Sequence, residues 1–223
     1  MAGRPGVVFD VDGTLLDTNY LHTVAWIRAL RAHGYDDVTM QQVHAAIGIA
    51  SAGLVEHVTG GEDEAVAEAH SSFYEPFQDD IRAFPKAAEL LRACHDAGLR
   101  VVIATSGKEE DLDWMLPAIG VDEDIVGESS TSSDVENAKP APELMVVAME
   151  KSDLDPERTV AVGDTVWDVE AAARAGIPCV ALTCGGIGEA ELTAAGAVEV
   201  WADPADLLAH LKESVITRVA TGA

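Results

Sequence analysis

The chain has 223 residues, of which 39 are acidic and 14 are lysine or arginine, and its formal net charge is -25 at pH 7. This acidity argues against nucleic acid and anionic membrane surfaces as partners, and no stretch approaches the roughly 20 apolar residues that span a membrane. Its three cysteines form no C-x-x-C pair, so we expect free thiols rather than a disulfide framework.

The hydrophobic fraction of 48% provides for one large domain or for one domain with an insertion. The N-terminus leads directly into an apolar strand pattern without a signal peptide, so we expect a cytoplasmic protein, either monomer or homodimer.

Short apolar runs alternate with helical stripes along most of the chain. Strand patterns cover Val7–Phe9, Arg100–Ala104, Thr159–Val162 and Pro178–Leu182, with weaker ones at Asp124–Gly127 and Glu199–Trp201. Helical stripes begin near Ala87, Leu112 and Val169 and end at Gly98, Gly120 and Gly176. This alternation predicts an α/β fold with a doubly wound parallel sheet.

One region interrupts the alternation. Between Asn19 and Asp80 the patterns are helical only, including one helix over Val43–Leu54, and about 60 helical residues are too many for a simple crossover. We therefore expect a catalytic core of residues 1–17 and 81–223 and an inserted helical cap of residues 18–80. The tail from Ser214 onward is predicted to be frayed.

Polar residues follow several of the predicted strands. Asp10 and Asp12 end the first strand, Thr105 and Ser106 end the second, and Asp164 ends a later one; Lys139 and Asp168 complete the set. Ligands of an open α/β sheet bind outside the carboxyl ends of its strands, so we expect these side chains to converge.

Such a convergence of carboxylates requires a cation. Two unit charges about 4 Å apart repel by about 4 kcal/mol at an effective dielectric constant near 20. Oxygen ligands favour a hard divalent ion, Mg²⁺ by default beside phosphate. Lys139 adds a second positive charge, while Thr105 and the amides that follow it suit phosphoryl oxygens.

These motifs together resemble the haloacid dehalogenase-like hydrolase superfamily. The resemblance rests on DVDGTL, the Thr105-Ser106 pair, Lys139-Pro140 and Gly163-Asp164-x-x-x-Asp168, which occur in the family's order and spacing. It implies a Rossmann-like core and a phosphatase of a small phosphorylated metabolite. The position of the cap resembles the subgroup that contains phosphoglycolate phosphatase and β-phosphoglucomutase.

The resemblance also implies the roles of individual residues. Asp10 would be the nucleophile that forms an aspartyl-phosphate, and Asp12 the general acid and then the general base. The implied phosphate-binding residues are Thr105, Ser106 and Lys139. The implied Mg²⁺ ligands are Asp10, the main-chain carbonyl of Asp12, Asp164 and Asp168, of which Asp168 is either a ligand or a partner behind the ligands.

Two other functions remain open at this point. A sugar phosphomutase would use the same core residues, but mutases usually carry Glu-Asp where this chain has Gly163-Asp164. A non-catalytic binding protein on the same fold is disfavoured by the intact catalytic set. Dehalogenases fit less well, because they typically lack the second aspartate that Asp12 provides.

The predicted cap contains two formally basic residues, Arg28 and Arg31, and none lies in its Val43–Gly53 segment. A doubly charged substrate such as phosphoglycolate is therefore disfavoured. His22, near the cap hinge, is either a substrate contact or a packed hinge residue. The other histidines are predicted to be scattered helix or surface residues, and Lys108 a solvated one.

Overall fold

The computed structural model describes residues 3–122, 124–135, 137 and 139–221. Its sheet has five strands: β1 (Arg4–Phe9), β2 (Arg100–Ile103), β3 (Leu154–Gly163), β4 (Cys179–Leu182) and β5 (Glu199–Trp201). All neighbouring strands pair in parallel, in the order β2-β1-β3-β4-β5. The predicted doubly wound α/β fold is confirmed.

Eleven helices occur in the described ranges. In chain order they are α1 (Asn19–Ala32), α2 (Met40–Ala46), α3 (Ser51–Thr59), α4 (Glu64–Tyr74), α5 (Ala87–Asp96), α6 (Leu112–Ile119), α7 (Glu143–Lys151), α8 (Val166–Arg174), α9 (Glu189–Ala195), α10 (Pro204–Ala209) and α11 (Val215–Thr221). Within those ranges, none combines the length and apolar character that a membrane span needs.

The sheet is covered on both faces, as a parallel sheet must be. Val7 and Phe9 of β1 belong to one fully buried apolar cluster, and Val8 between them belongs to the cluster on the opposite face. The alternation follows from the two-residue period of a strand. Because both faces are closed, only the edges at the strand ends remain for a binding site.

Three sequence-based expectations about local structure are wrong. The segment around Asp124–Gly127 forms no regular strand; one isolated bridge, Val126 with Val101, joins it to β2. The helix expected over Val43–Leu54 is divided into α2 and α3, because Gly48 turns the chain with a φ of 104°.

The third wrong expectation is that the C-terminal segment from Ser214 onward is frayed. This segment forms α11, and Ile216 is buried in the core. Glu199 of β5 holds the start of this helix, since its carboxylate accepts hydrogen bonds from the Ser214 hydroxyl at 2.6 Å and the Val215 amide at 2.8 Å. Burial of one apolar side chain together with this capping outweighs the tendency of a chain end to fray.

Helices α1 to α4 pack around an apolar cluster of their own. Its members include Trp26, Leu30, Val43, Leu54 and Val66, all buried. These helices follow β1 directly, and the chain returns to the sheet through a 3₁₀ helix at Glu75–Asp80 and then α5. Helices α1 to α4 and this 3₁₀ helix, residues 19–80, are named the helical insertion; they follow the carboxyl end of β1, where Asp10 and Asp12 lie.

One imidazole is buried in this helical packing. The ring of His70 in α4 stacks on Trp26 at 3.9 Å between centroids, and only 8% of the residue is exposed. Burial, followed by the electrostatic effect of His22, lowers the pKa of His70 to about 2 although nearby Asp12 opposes the shift. His70 is therefore neutral in the folded protein at any ordinary pH.

This burial predicts a loss of stability in mild acid. Below pH 6.5, the ordinary pKa of histidine, the unfolded chain binds a proton at His70 that the folded chain does not, so the free energy of unfolding falls as the pH falls. From pH 7.5 to 5.5 this one group removes about 1.4 kcal/mol. The free energy of unfolding, measured in urea at several pH values, should fall more steeply with falling pH in the wild type than in His70→Phe. Equal pH dependence in the two proteins would contradict the prediction. His95→Gln, at an exposed histidine, serves as the control.

Candidate active site

The carboxyl edge of the sheet collects the expected polar side chains. The strand order places β1 between β2 and β3, so that Asp10 after β1 lies between Thr105 beyond β2 and Asp164 after β3. All three residues are buried. The main-chain amide of Asp10 donates to the carbonyl of Val162 at 2.9 Å, which continues the sheet pairing up to the carboxylate. The expected convergence is therefore present.

Lys139 lies at the centre of this group. Its ammonium group is 2.5 Å from Oδ1 of Asp10 and 2.7 Å from Oδ1 of Asp168, and the residue is 1% exposed. Burial alone would lower the pKa of Lys139, but the carboxylates of Asp10 and Asp168 outweigh it and raise this pKa above its ordinary value. Lys139 is therefore a permanent, desolvated positive charge.

A local sequence motif fixes the orientation of Asp168. Thr165 begins α8 as its N-cap, and Oδ2 of Asp168 accepts hydrogen bonds from the Thr165 hydroxyl at 2.6 Å and amide at 3.1 Å. This is a capping box with aspartate in the third position. It engages Oδ2 and leaves Oδ1 for Lys139, so Asp168 is positioned by its own helix.

Asp164 is held by two residues that follow β1. The Thr14 hydroxyl donates to its Oδ1 at 2.9 Å, and the Asn19 amide donates to its Oδ2 at 2.7 Å. Burial, with repulsion from Asp168 and Asp10, raises the pKa of Asp164 well above its ordinary value. The role of Asn19 is not evident from the sequence, because an asparagine at the start of a helix is typical of an ordinary local cap.

Asp10, Asp164 and Asp168 each place a carboxylate oxygen within 4.8 Å of the other two. The pKa of Asp10 is raised to about 7, first by burial and further by the charges of Asp168 and Asp12, although Lys139 opposes these effects. The single positive charge of Lys139, which contacts two of these carboxylates, does not balance the three negative charges of the ionised group. Such a buried all-oxygen donor set fits a hard divalent cation, and the expected Mg²⁺ ligands are thus close together.

Asp12 points to a different set of partners. Its Oδ1 accepts a hydrogen bond from the Thr18 hydroxyl at 2.7 Å and lies 3.2 Å from Nε2 of His22. Burial opposes ionisation, but the attraction of His22 and the two hydrogen bonds lower the pKa of Asp12 below its ordinary value. The second aspartate is therefore held away from Lys139 and beside the helical insertion.

His22 joins Asp12 to the buried aromatic packing of the insertion. Its Nδ1 lies 3.2 Å from Nε2 of His70, and its ring stacks on Tyr74 at 3.8 Å with planes 6° apart. The expectation that His70 is a scattered helix or surface residue is wrong. Spacing along the chain could not reveal it, because 48 residues separate the two imidazoles.

Thr105 and Ser106 have different surroundings. The Thr105 hydroxyl accepts a hydrogen bond from the Gly107 amide at 3.0 Å, and its side chain is fully buried. The Ser106 hydroxyl donates to the carbonyl of Gly48 at 2.8 Å and so ties the sheet edge to the α2–α3 turn. Ser106 thus contacts the helical insertion as well as the site.

Further hydrogen bonds hold the insertion against the sheet edge. The imidazole of His44 lies 2.9 Å from the carbonyl of Gly185, which also accepts from Asn19 at 3.1 Å. The indole of Trp167 donates to the carbonyl of Ala45 at 2.9 Å. His44 is therefore not a scattered surface residue either.

A cavity of about 610 Å³ lies between the insertion and the sheet edge. Asp10, Asp12 and His22 lie at its sheet side, and Trp26, Ile47, Ile49 and Leu54 contribute apolar wall. This volume suits a small metabolite. Its position places a bound molecule in contact with the two aspartates that follow β1.

Comparison with known proteins agrees with this arrangement. A validoxylamine A 7'-phosphate phosphatase of Streptomyces hygroscopicus subsp. limoneus is 29% identical over 182 residues, which cover 79% of this chain and 84% of that protein. A phosphoglycolate phosphatase of Vibrio vulnificus is 30% identical over 191 residues, 80% of this chain and 83% of that protein. Phosphatases among the relatives support the prediction that the chain is a phosphatase.

Solved structures have the same fold. A hydrolase from Pseudomonas syringae is 34% identical and superimposes with a TM-score of 0.88 over 94% of this chain and 99% of that one. A β-phosphoglucomutase from Clostridium difficile shares the fold with a TM-score of 0.80 at 18% identity, with full coverage of both chains. The model of the haloacid dehalogenase-like hydrolases matches residues 5–176. The chain belongs to this family, the haloacid dehalogenase-like hydrolases.

Proposed function

We propose that the protein is a Mg²⁺-dependent phosphatase that hydrolyses a small phosphorylated metabolite through an aspartyl-phosphate on Asp10. The observation that carries this proposal is the buried contact of Lys139 with both Asp10 and Asp168, directly beside Asp164 and below the cavity. It combines a nucleophile, a fixed positive charge and a donor set for a hard cation in one water-poor place. That combination is what phosphoryl transfer requires.

In the first half of the reaction, an oxygen of Asp10 attacks phosphorus, and the bond from phosphorus to the substrate alcohol breaks. Asp12, on the cavity side of the site, gives its proton to the departing alkoxide. The arriving phosphate is anionic and raises the pKa of a neighbouring carboxylate, which favours this protonated form of Asp12 in the complex. His22 and Thr18 hold the Asp12 carboxyl group in place.

In the second half, Asp12 removes a proton from a water molecule that attacks the same phosphorus. The bond between phosphorus and Asp10 breaks, inorganic phosphate leaves, and both aspartates return to their starting states. Lys139 binds phosphoryl oxygens and stabilises their charge in both steps, with Asp168 as its positioning partner. Thr105 and the Gly107 amide, which lie together, complete the phosphate-binding group.

Asp10, Asp164 and the main-chain carbonyl of Asp12 would hold Mg²⁺. When bound, the ion neutralises the carboxylates and polarises the phosphoryl oxygens. Asp168 fits a position behind the ligands better than a place among them, because Lys139 and Thr165 already engage its two oxygens. Thr14 and Asn19 would keep Asp164 in a ligating orientation.

Residues 18–80 would form a cap over this site. The helical insertion packs around its own apolar cluster and contacts the sheet edge through a few hydrogen bonds, such as those from Ser106 and Trp167. A few hydrogen bonds can break and re-form readily. This property suits a lid that admits substrate and then excludes water.

A phosphomutase is the second candidate, since it would use the same aspartates. A mutase must also hold the remote anionic end of its substrate. Arg28 and Arg31, the basic residues of residues 18–80, do not line the cavity; the guanidinium of Arg28 lies over the ring of Phe77 instead. This observation favours the phosphatase.

Replacing the nucleophile should stop turnover. Asp10→Asn is expected to release no measurable phosphate from a panel of phosphorylated metabolites, because the amide cannot form the phosphoenzyme. Acid-quenched wild type should yield a phosphorylated peptide that contains Asp10, and the variant should not. The exposed Asp79→Asn is the control, and unchanged phosphate release by Asp10→Asn would refute the mechanism.

Metal dependence has a readout that does not need turnover. Addition of Mg²⁺ to the chelator-treated protein should raise its melting temperature, because the ion binds the folded state and relieves carboxylate repulsion. Asp164→Asn should lose most of this increase. An equal increase in both proteins, measured by differential scanning fluorimetry, would place the ion elsewhere.

Loss of the central cation should slow the reaction strongly. Lys139→Ala is expected to reduce kcat at least about 100-fold, or about 2.7 kcal/mol, because the transition-state charge loses its partner. Lys151→Ala is the matched control, since Lys151 forms a partly exposed ion pair with Asp134 at 2.7 Å. Circular dichroism would first establish that both variants fold, and a folded Lys139→Ala with normal kcat would exclude this role.

A further inference from the structure

A substrate with an anionic group at each end would need positive charge in two parts of the cavity. The cavity lining is acidic instead. Among the described residues that line it, Lys108 is the one lysine or arginine, whereas Glu75, Glu110 and Asp111 add three carboxylates to those of Asp10 and Asp12. Lys108 is exposed, as are Glu75 and Glu110, so three carboxylates face one ammonium group in this part of the wall. A second anionic group on a substrate would thus meet carboxylates with little compensation.

The same region offers groups that pair with hydroxyl or amino functions. Ser51, Ser71, Ser72 and Gln78 line the cavity from the helical insertion and the 3₁₀ helix after it. These side chains are neutral and both donate and accept hydrogen bonds. Together with the carboxylates they suit a polar molecule that carries hydrogen-bond donors.

Tyr74 supplies an independent observation. It lines the cavity and is 7% exposed, and its buried hydroxyl has no hydrogen-bond partner within the described part of the chain. Burial and the nearby charges of Asp12 and Asp111 raise the pKa of Tyr74 above its ordinary value, so the hydroxyl remains a donor. A buried hydroxyl without a partner destabilises the folded protein, and a hydrogen bond to a bound ligand would remove this cost.

The position of Tyr74 relates this hydroxyl to the reaction. Its ring stacks on His22, which contacts Asp12, the proposed acid for the leaving alcohol. A group bonded to Tyr74 would therefore belong to the alcohol part of the substrate rather than to its phosphate.

We propose that the cavity binds the alcohol part of a phosphate monoester that carries hydroxyl or amino groups and no second anionic group, and that Tyr74 hydrogen-bonds this part. The inference rests on the proposed phosphatase function and adds the chemical class of its substrate. This substrate class excludes phosphoglycolate, because the second anionic group of that molecule would lie among the acidic residues of the cavity.

Matched pairs of substrates test the class. Each pair has one member with an amino or hydroxyl group and one with a carboxylate: phosphoethanolamine with phosphoglycolate, glycerol phosphate with phosphoglycerate, and glucosamine 6-phosphate with 6-phosphogluconate. In every pair that is hydrolysed, kcat/KM should be at least about tenfold higher for the first member, because the carboxylates that line the cavity repel the carboxylate of the second member. p-Nitrophenyl phosphate measures the chemical step without these groups.

The outcomes separate the two proposals. No phosphate from any compound, p-nitrophenyl phosphate included, would overturn the phosphatase function itself. Phosphate release with a preference for the carboxylate member, or without preference in any pair, would leave the phosphatase standing and overturn the substrate class. Glu75→Lys should reduce the discrimination, while Glu68→Lys, the same charge change at an exposed residue that does not line the cavity, should not.

A second pair of variants tests Tyr74. Tyr74→Phe should lower kcat/KM for the best hydroxyl- or amino-bearing substrate by about three- to tenfold more than for p-nitrophenyl phosphate, the value of one neutral hydrogen bond. Tyr35→Phe is the control, because that hydroxyl donates to Asp63 at 3.0 Å and does not line the cavity. Equal effects of the two variants, or equal losses on both kinds of substrate, would exclude Tyr74 from this role.

Discussion

The site depends on the crowding of three buried carboxylates, two of which contact the ammonium group of Lys139. Asp10, Asp164 and Asp168 come from β1, the end of β3 and the first turn of α8, and none of them reaches bulk water to any great extent. Burial and repulsion between carboxylates raise the pKa values of Asp10 and Asp164, although Lys139 opposes the shift of Asp10 and hydrogen bonds from Thr14 and Asn19 oppose that of Asp164. The group therefore carries unbalanced negative charge when it is ionised. A divalent cation would neutralise this charge, whereas a neutral ligand would not.

Each member of this group is oriented by a local device rather than by the cluster itself. The sheet pairing carries Asp10 to its place, the capping box of α8 turns Asp168 toward Lys139, and Thr14 with Asn19 holds Asp164. Preorganisation of this kind matters because like charges would otherwise separate. It also explains why Asp12, which is tied to Thr18 and His22, can have a different role although it is two residues from Asp10.

The helical insertion decides what reaches these groups. It adds an apolar wall, a buried imidazole and a tyrosine hydroxyl that has no hydrogen-bond partner among the described residues, and it brings few positive charges with it. The net charge of the chain is -25, so polyanionic molecules are also repelled at a distance. We infer that the core binds the phosphate and that the insertion selects the uncharged or cationic remainder of the substrate.

The sequence by itself determined the fold class and the residues that meet at the sheet edge. Strand and helix periods differ, and parallel strands deliver the residues that follow them to one edge, so the meeting of Asp10, Thr105 and Asp164 follows from local pattern and topology. Local pattern did not predict the break between α2 and α3 at Gly48, because a single turn decides it. It also did not predict that α11 is ordered, because this depends on the burial of a single isoleucine. Only the tertiary structure brought His70, Tyr74 and Asn19 to the site, since each side chain meets partners far along the chain whose distance no spacing rule encodes. The same reason explains why the substrate class could be inferred only from the cavity: its charge is a sum over side chains from separate elements, and only packing decides which of them face it.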